Sequence, residues 1–231
     1  MVELVNQPEV CVHCGTKFRL AKTLISHICE RKRRHLQQSE KRVQTGMQAF
    51  NKFYQLTQNC KKNKTYDEFC ASSFYNAFVK FGSFVNNVNV LYPEQFIEHI
   101  IKSGAKLDHW CKDELYAQYL YNILKIEPTE SAIQRSLLTM MQWGDDNSLE
   151  YTNYFSKASL NRTANDIING HVSLWVILNT SSGKKMINNF TDEHLKIIAP
   201  AFDLHYWKRR FKEKSDDVTL VKEVCKEAGI P

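Results

Sequence analysis

Residues 11–29 read Cys-Val-His-Cys-Gly-Thr-Lys-Phe-Arg-Leu-Ala-Lys-Thr-Leu-Ile-Ser-His-Ile-Cys. Cys11 and Cys14 are separated by two residues. That spacing lets two thiolates grip one metal ion from a tight turn, and an imidazole about a dozen residues later can return to the same ion from a helix. His27 stands there. Phe18 and Leu24 fall where so small a unit needs its apolar plug. His13, inside the cysteine knuckle, is expected to point outward.

The joint pattern over residues 9–35 resembles the C2H2-type zinc finger, down to its two hydrophobic positions. The resemblance implies one structural Zn2+ and a short helix whose early residues, here Arg19, Lys22 and Thr23, can meet base edges or phosphates. The chain departs from the family at the fourth ligand. Arg31, four residues after His27, occupies the place of the second histidine and binds no metal. Cys29 lies two residues on, about 200° round a regular helix, and can bind if the helix ends or unwinds just after His27. His35 lies eight on, on the same face but about 12 Å along the axis. Water is the third candidate. Cys29 is favoured, because a thiolate suits zinc and the position is near, which makes the expected ligand set Cys11, Cys14, His27 and Cys29.

Charge is concentrated at the same end. Residues 1–44 carry nine Lys or Arg against four acids, so +5 of the net +6 lies in the first fifth of the 231-residue chain. Arg31, Lys32, Arg33 and Arg34 follow the finger directly. Such clusters attract anionic partners, and each neutralised phosphate adds a salt-dependent increment of affinity. Arg19, Lys22 and the Arg31–Arg34 run are therefore the expected nucleic-acid contacts, with DNA preferred to RNA. A lone finger spans about 3 bp, so the expected binding is sequence-tolerant or assisted by a partner protein. The plainer alternative is a solvated helix face, since four consecutive residues spread around a helix.

The apolar content of 43% and charged content of 24% are those of an ordinary globular protein. No stretch approaches eighteen apolar residues, so no membrane span is expected. The N-terminus has neither a basic nor an apolar leader region, and the odd total of seven cysteines argues against a disulfide framework. Both point to an intracellular, reducing setting. Cys60, Cys70, Cys111 and Cys225 are dispersed and read as core or surface thiols.

Beyond residue 35 the periodicity is helical. The expected fold is mainly α: a single N-terminal zinc finger with its basic helix (1–35), a basic connecting helix and linker (36–64), and a helical domain (65–231) with a sub-boundary near 144–150. Gly46 weakens the middle of the connecting helix. Thr65 and Glu68 form a capping-box pair. Gly144–Ser148 reads as the clearest loop, Ser181–Gly183 as a turn, and Val172–Leu178 as either a buried helix or a short strand. The aromatic segments Phe74–Phe78 and Leu174–Ile177, with the finger-then-helices layout, resemble uncharacterised proteins of large tailed phages. That resemblance implies the cytoplasm of an infected host cell, and a role in phage replication, recombination or transcription.

No P-loop, dinucleotide fingerprint, His-Glu-x-x-His or Gly-x-Ser-x-Gly occurs. Asp145–Asp146 reads as a solvated turn rather than a cation site, and His109, His171, His194 and His205 lack partners at interpretable spacing. A four-ligand zinc site leaves no open position for water activation. The expected function is a zinc-dependent nucleic-acid-binding accessory protein rather than an enzyme. The alternative is a protein–protein adaptor or structural component of a virion or replisome, in which the basic helix docks on an acidic protein surface.

Overall fold

The computed structural model describes residues 9–230. Fifteen α-helices, two single-turn 3-10 helices and one two-stranded sheet make up the regular structure of the described residues. The chain divides into two compact units, 1–115 and 116–231.

In the first unit, β1 (Glu9–Val10) pairs antiparallel with β2 (Lys17–Phe18), Glu9 opposite Phe18. The knuckle between them closes through Gly15, whose positive φ of 73° lets its N–H reach the Cys11 carbonyl at 2.8 Å. Two short helices follow, α1 (Ala21–Ser26) and α2 (Glu30–Leu36), then the long α3 (Lys41–Gln58). Helix α4 (Tyr66–Ala71) opens with the expected capping box: Thr65 Oγ1 accepts from the Glu68 N–H, and Glu68 Oε2 accepts from the Thr65 N–H at 2.7 Å. Helices α5 (Tyr75–Val88) and α6 (Pro93–Lys102) complete the layer, and α7 (Asp113–Ile126) leads into the second unit.

The core of this unit is aromatic. Phe50, Phe69, Phe78, Phe81, Phe96 and Trp110 are all buried. The Trp110 ring meets Phe78 and Phe81 edge-on at 5.6 and 5.2 Å, and its indole N–H donates to the Ala105 carbonyl. Gly46 is better explained by contact than by helix propensity. It sits where α3 crosses α5, and a Cβ there would come within 2.7 Å of the Phe78 carbonyl oxygen. Gly82 faces it from α5, and a Cβ there would run into the Arg42 carbonyl oxygen. The two glycines let the helix backbones touch.

The second unit holds α8 (Thr129–Asn147), α9 (Tyr154–Lys157), α10 (Leu160–Ile168), α11 (Leu174–Asn179), α12 (Ser181–Asn188), α13 (Asp192–Ile198), α14 (Leu204–Glu213) and α15 (Ser215–Glu227). Two readings of the sequence change here, and a third, left open between helix and strand, is decided. Gly144–Ser148 is not a loop: α8 runs through it to Asn147, and Ser148 ends the helix in the left-handed region at φ 53°. The Gln142 side chain donates to Asp146 one turn on at 2.8 Å, and bare Gly144 admits the backbone of Leu149 and Tyr151 against the helix. Ser181–Gly183 is the first turn of α12, because Thr180 Oγ1 caps it by accepting from the Gly183 N–H. Val172–Leu178 resolves as helix α11 with Ser173 as N-cap, and its Leu174, Trp175, Val176 and Ile177 are all buried.

A buried polar network ties the start of this unit's core together. Asp166 accepts from the Tyr154 hydroxyl at 2.6 Å and from Arg162 Nε at 2.8 Å, and lies 3.3 Å from His171 Nδ1. Burial alone would raise the Asp166 pKa, but His171, Tyr154 and Arg162 together outweigh it and hold the carboxyl below its ordinary 3.8. A carboxylate depressed in the folded state stabilises the fold above its unfolded pKa, and that stability is lost as pH falls through the folded value.

Two outcomes follow from these contacts. Gly82→Ala lowers stability by about 1–3 kcal/mol through overpacking, measured by urea denaturation. Acid unfolding followed by tryptophan fluorescence shows a component below about pH 4 that is absent from Asp166→Asn, which is also less stable than the native chain at neutral pH.

Candidate metal centre

The ligand cluster forms where two short helices fail to join. Helix α1 ends at Ser26, and His27 follows in an extended conformation, φ −70° and ψ 122°. Cys29 is extended as well, φ −82° and ψ 166°, and is the N-cap of α2. The extended link turns Cys29 back toward His27, the unwinding that a ligand two residues on requires. The knuckle brings Cys11 and Cys14 to the same point. The Sγ atoms of Cys11, Cys14 and Cys29 and a ring nitrogen of His27 lie within 4.8 Å of one another, a group that could hold a metal ion.

The dimensions fit a tetrahedral site. With metal–sulfur bonds of about 2.3 Å and metal–nitrogen bonds of about 2.0 Å, tetrahedral geometry places sulfurs about 3.8 Å apart and sulfur about 3.5 Å from nitrogen. Cys11 Sγ is 4.0 Å from Cys29 Sγ, and Cys14 Sγ is 3.3 Å from His27 Nε2. Phe18 and Leu24 are both half-buried, and the Phe18 ring lies 4.8 Å from that of His27. Three thiols and an imidazole form a soft donor set of the kind that binds zinc in closed structural sites.

The electrostatics favour a cation. Hydrogen bonding to the Thr16 hydroxyl and backbone N–H, with a further contact to His27, lowers the Cys14 thiol to about 6 and so favours its thiolate. At Cys29 the Lys32 N–H, 3.4 Å from the sulfur, favours the thiolate. Desolvation and the neighbouring Cys14 and Cys11 sulfurs outweigh it, and the Cys29 pKa is raised. Crowded sulfurs that disfavour each other's ionisation are what a divalent ion relieves.

His35 has a different place. Its ring lies 4.7 Å from that of His13 and 5.5 Å from that of Tyr66, and its Nε2 is 3.3 Å from Asp67 Oδ1. It belongs to the seam between α2 and α4, outside the ligand group.

The basic residues divide into two sets. Arg34 turns inward: Nη1 donates to the carbonyls of Cys70 (2.6 Å) and Ser72 (3.3 Å), Nη2 bonds Glu30 at 2.6 Å, and the guanidinium lies 4.4 Å from the Tyr75 ring centre. The Tyr66 hydroxyl completes the seam by donating to the Arg34 carbonyl. Lys32 is half-buried, and its Nζ donates to the carbonyls of His27 and Ile25. Arg19, Lys22, Arg31 and Arg33 are exposed. Arg31 reaches the His13 carbonyl at 3.5 Å, and Arg33 lies 3.8 Å from Glu30.

Of the remaining cysteines, Cys70 and Cys225 are buried, and Cys60 and Cys111 are half-buried. Two histidines read as solitary have partners: His171 in the Asp166 network, and His194, which joins Thr191 at the start of α13 and reaches Asn161 at 3.0 Å. No helix of the described residues is long and apolar enough to cross a membrane. No family model, curated protein or solved structure matches the chain.

Metal analysis of the purified chain is expected to find one ion, lost in Cys11→Ala and in Cys29→Ala. His35→Ala retains it, because that ring serves the α2–α4 seam. Loss of the ion in His35→Ala with retention in Cys29→Ala would reverse the ligand assignment.

Proposed function

We propose that the chain is a nucleic-acid-binding accessory protein whose N-terminal finger is ordered by one structural zinc ion. The observation that carries this reading is the division of the basic residues around the ligand cluster. Arg34 and Lys32 are half-buried and donate to main-chain carbonyls, while Arg19, Lys22, Arg31 and Arg33 stand exposed, Arg31 with one long contact to the His13 carbonyl and Arg33 with one to Glu30. The first pair secures the helix. The second set offers cations from a rigid mount, with little side-chain rearrangement needed to meet phosphates. Zinc's part is to fold the segment, since a closed site with four protein ligands is structural. DNA is the preferred polymer, and phage replication, recombination or transcription is the setting that the layout supports.

Specificity is low on this reading. A single short helix offers few side chains to base edges, so phosphate contacts dominate affinity and bring a steep salt dependence. Each phosphate neutralised on duplex DNA contributes a slope of about −0.9 in log K against log salt concentration.

One observation favours a protein partner as well. Val12, Ile25 and Ile28 are 91%, 76% and 67% exposed on the finger. Apolar side chains beside a basic surface suit an adaptor that docks on an acidic, partly apolar face of a virion or replisome component.

Fluorescence anisotropy with a labelled duplex, repeated over a range of salt, separates the readings. Replacing Arg31 and Arg33 with Ala is expected to weaken binding and shrink the slope by up to about 1.8 with the metal retained. Unchanged affinity in that variant, or no binding by the native chain at low salt, would rule out the nucleic-acid reading and leave the adaptor.

A further inference from the structure

Residues 116–231, the second unit, carry fourteen Lys or Arg and fourteen Asp or Glu, so the unit as a whole is neutral. Helix α14 is not. Over its ten residues it holds Lys208, Arg209, Arg210 and Lys212 against Glu213 alone. His205, Lys208, Arg209 and Lys212 stand at i, i+3, i+4 and i+7, a spacing that puts them on one face of a helix. All four are exposed. The row runs about 10 Å along the axis.

The opposite face fixes the helix in place. Trp207 and Arg210 are buried, and Tyr206 and Phe211 are half-buried. The Trp207 ring meets Trp175 edge-on at 5.8 Å, and its indole N–H donates to the Ala201 carbonyl at 3.3 Å. Arg210 turns inward: Nη1 donates to the Lys125 carbonyl at 3.1 Å and to the Tyr206 hydroxyl, and the guanidinium lies 5.5 Å from the Trp175 ring centre. Asp203 closes the start of the helix by accepting from the His205 and Tyr206 N–H groups at 2.9 and 3.1 Å. One arginine is a tether while its neighbours face solvent, the same division that α2 makes around Arg34.

Little compensates the exposed row. Glu213 reaches Arg209 Nε only at 3.9 Å, with both side chains in solvent, a pair that contributes little. Lys208 and Lys212 form no hydrogen bond or ion pair among the described residues. Asp217 is engaged by Thr129 and Lys214, and Asp216 is exposed at the start of α15. The row also lacks an apolar centre: Leu204, 50% exposed at its edge, is the one large apolar side chain that α14 exposes. Protein interfaces gather aromatic and apolar side chains at their centre and are depleted in lysine. A row of two lysines, an arginine and a histidine on a fixed helix instead suits a line of phosphates.

We propose that the exposed face of α14 is a second nucleic-acid contact, on which Lys208, Arg209 and Lys212 hold the phosphate backbone of duplex DNA. His205 adds a donor at the end of the row. The contact goes to phosphates and carries no base readout, so it adds affinity without sequence preference. The inference rests on the nucleic-acid reading of the chain, but it uses no residue of the finger and no metal.

The test is anisotropy of the full chain with a labelled duplex over a salt series. The triple variant Lys208→Gln, Arg209→Gln, Lys212→Gln keeps helix-forming side chains on the solvent face, and circular dichroism confirms its fold. It is expected to bind at least about tenfold more weakly at low salt and to lose up to about 2.7 from the slope of log K against log salt concentration. The control removes the same charge elsewhere in the unit, at exposed Lys157, Lys184 and Lys185, again to Gln. It is expected to leave the slope unchanged, since distant charges are screened. Equal losses in the two triple variants would reduce the effect to net charge and overturn the assignment. An α14 variant that binds like the native chain, while Arg31→Ala with Arg33→Ala weakens binding, would overturn it alone and leave the finger contact standing. No binding by the native chain would remove both contacts. Labelled polyglutamate held by the native chain and lost in the α14 variant, with DNA binding intact, would overturn it in favour of an acidic protein partner.

Discussion

The N-terminal region depends on an interruption. Had the helix that starts at Ala21 continued past Ser26, Cys29 would lie on the far side of it from His27 and the cluster could not close. The chain instead extends through His27, Ile28 and Cys29 and begins a new helix at Glu30. Cys29 thereby contributes to two structures at once. Its sulfur joins the ligand group and accepts the Lys32 N–H as the N-cap of α2. A thiolate at a helix N-terminus is favoured by the unpaired N–H groups there. A metal ion held there would be coupled through one atom to the orientation of the basic helix.

The basic helix is secured at its other end by different chemistry. Arg34 reaches two carbonyls at the end of α4, lies over Tyr75, and has its own carbonyl bonded by the Tyr66 hydroxyl. His35 adds a contact to Asp67. The N-terminal segment is thus joined to the aromatic core of its unit by main-chain acceptors and one arginine fork, which hold direction better than apolar contact does. Among four consecutive basic residues, the structure makes one a tether, one a helix-end donor and two an exposed surface.

Much of this was legible in the sequence, and the boundary of legibility has physical causes. The cluster was readable because metal spacing is local: Cys11, Cys14 and His27 announce themselves, and Cys29 joins them once the helix is allowed to break. The helical class was readable from periodicity, and the start of α4 from Thr65 and Glu68. The inward turn of Arg34 was not, because its acceptors at Cys70 and Ser72 lie far along the chain. Gly46 looked like a weakness in α3, since its reason is the backbone of α5. Gly144–Ser148 looked like a loop because its composition is that of one, and packing against Leu149 and Tyr151 overrode it. Arg162 and Asp166, four apart, carried a faint signal of their pairing.

Three sulfurs and one imidazole nitrogen are expected to surround a single zinc ion. X-ray absorption at the zinc edge of the purified chain tests it most directly. The account predicts nearest neighbours of three sulfurs at about 2.3 Å and one nitrogen at about 2.0–2.1 Å, with one sulfur lost in Cys29→Ala. A site with two sulfurs and lighter donors in the native chain, or a folded chain that holds no zinc, would contradict it.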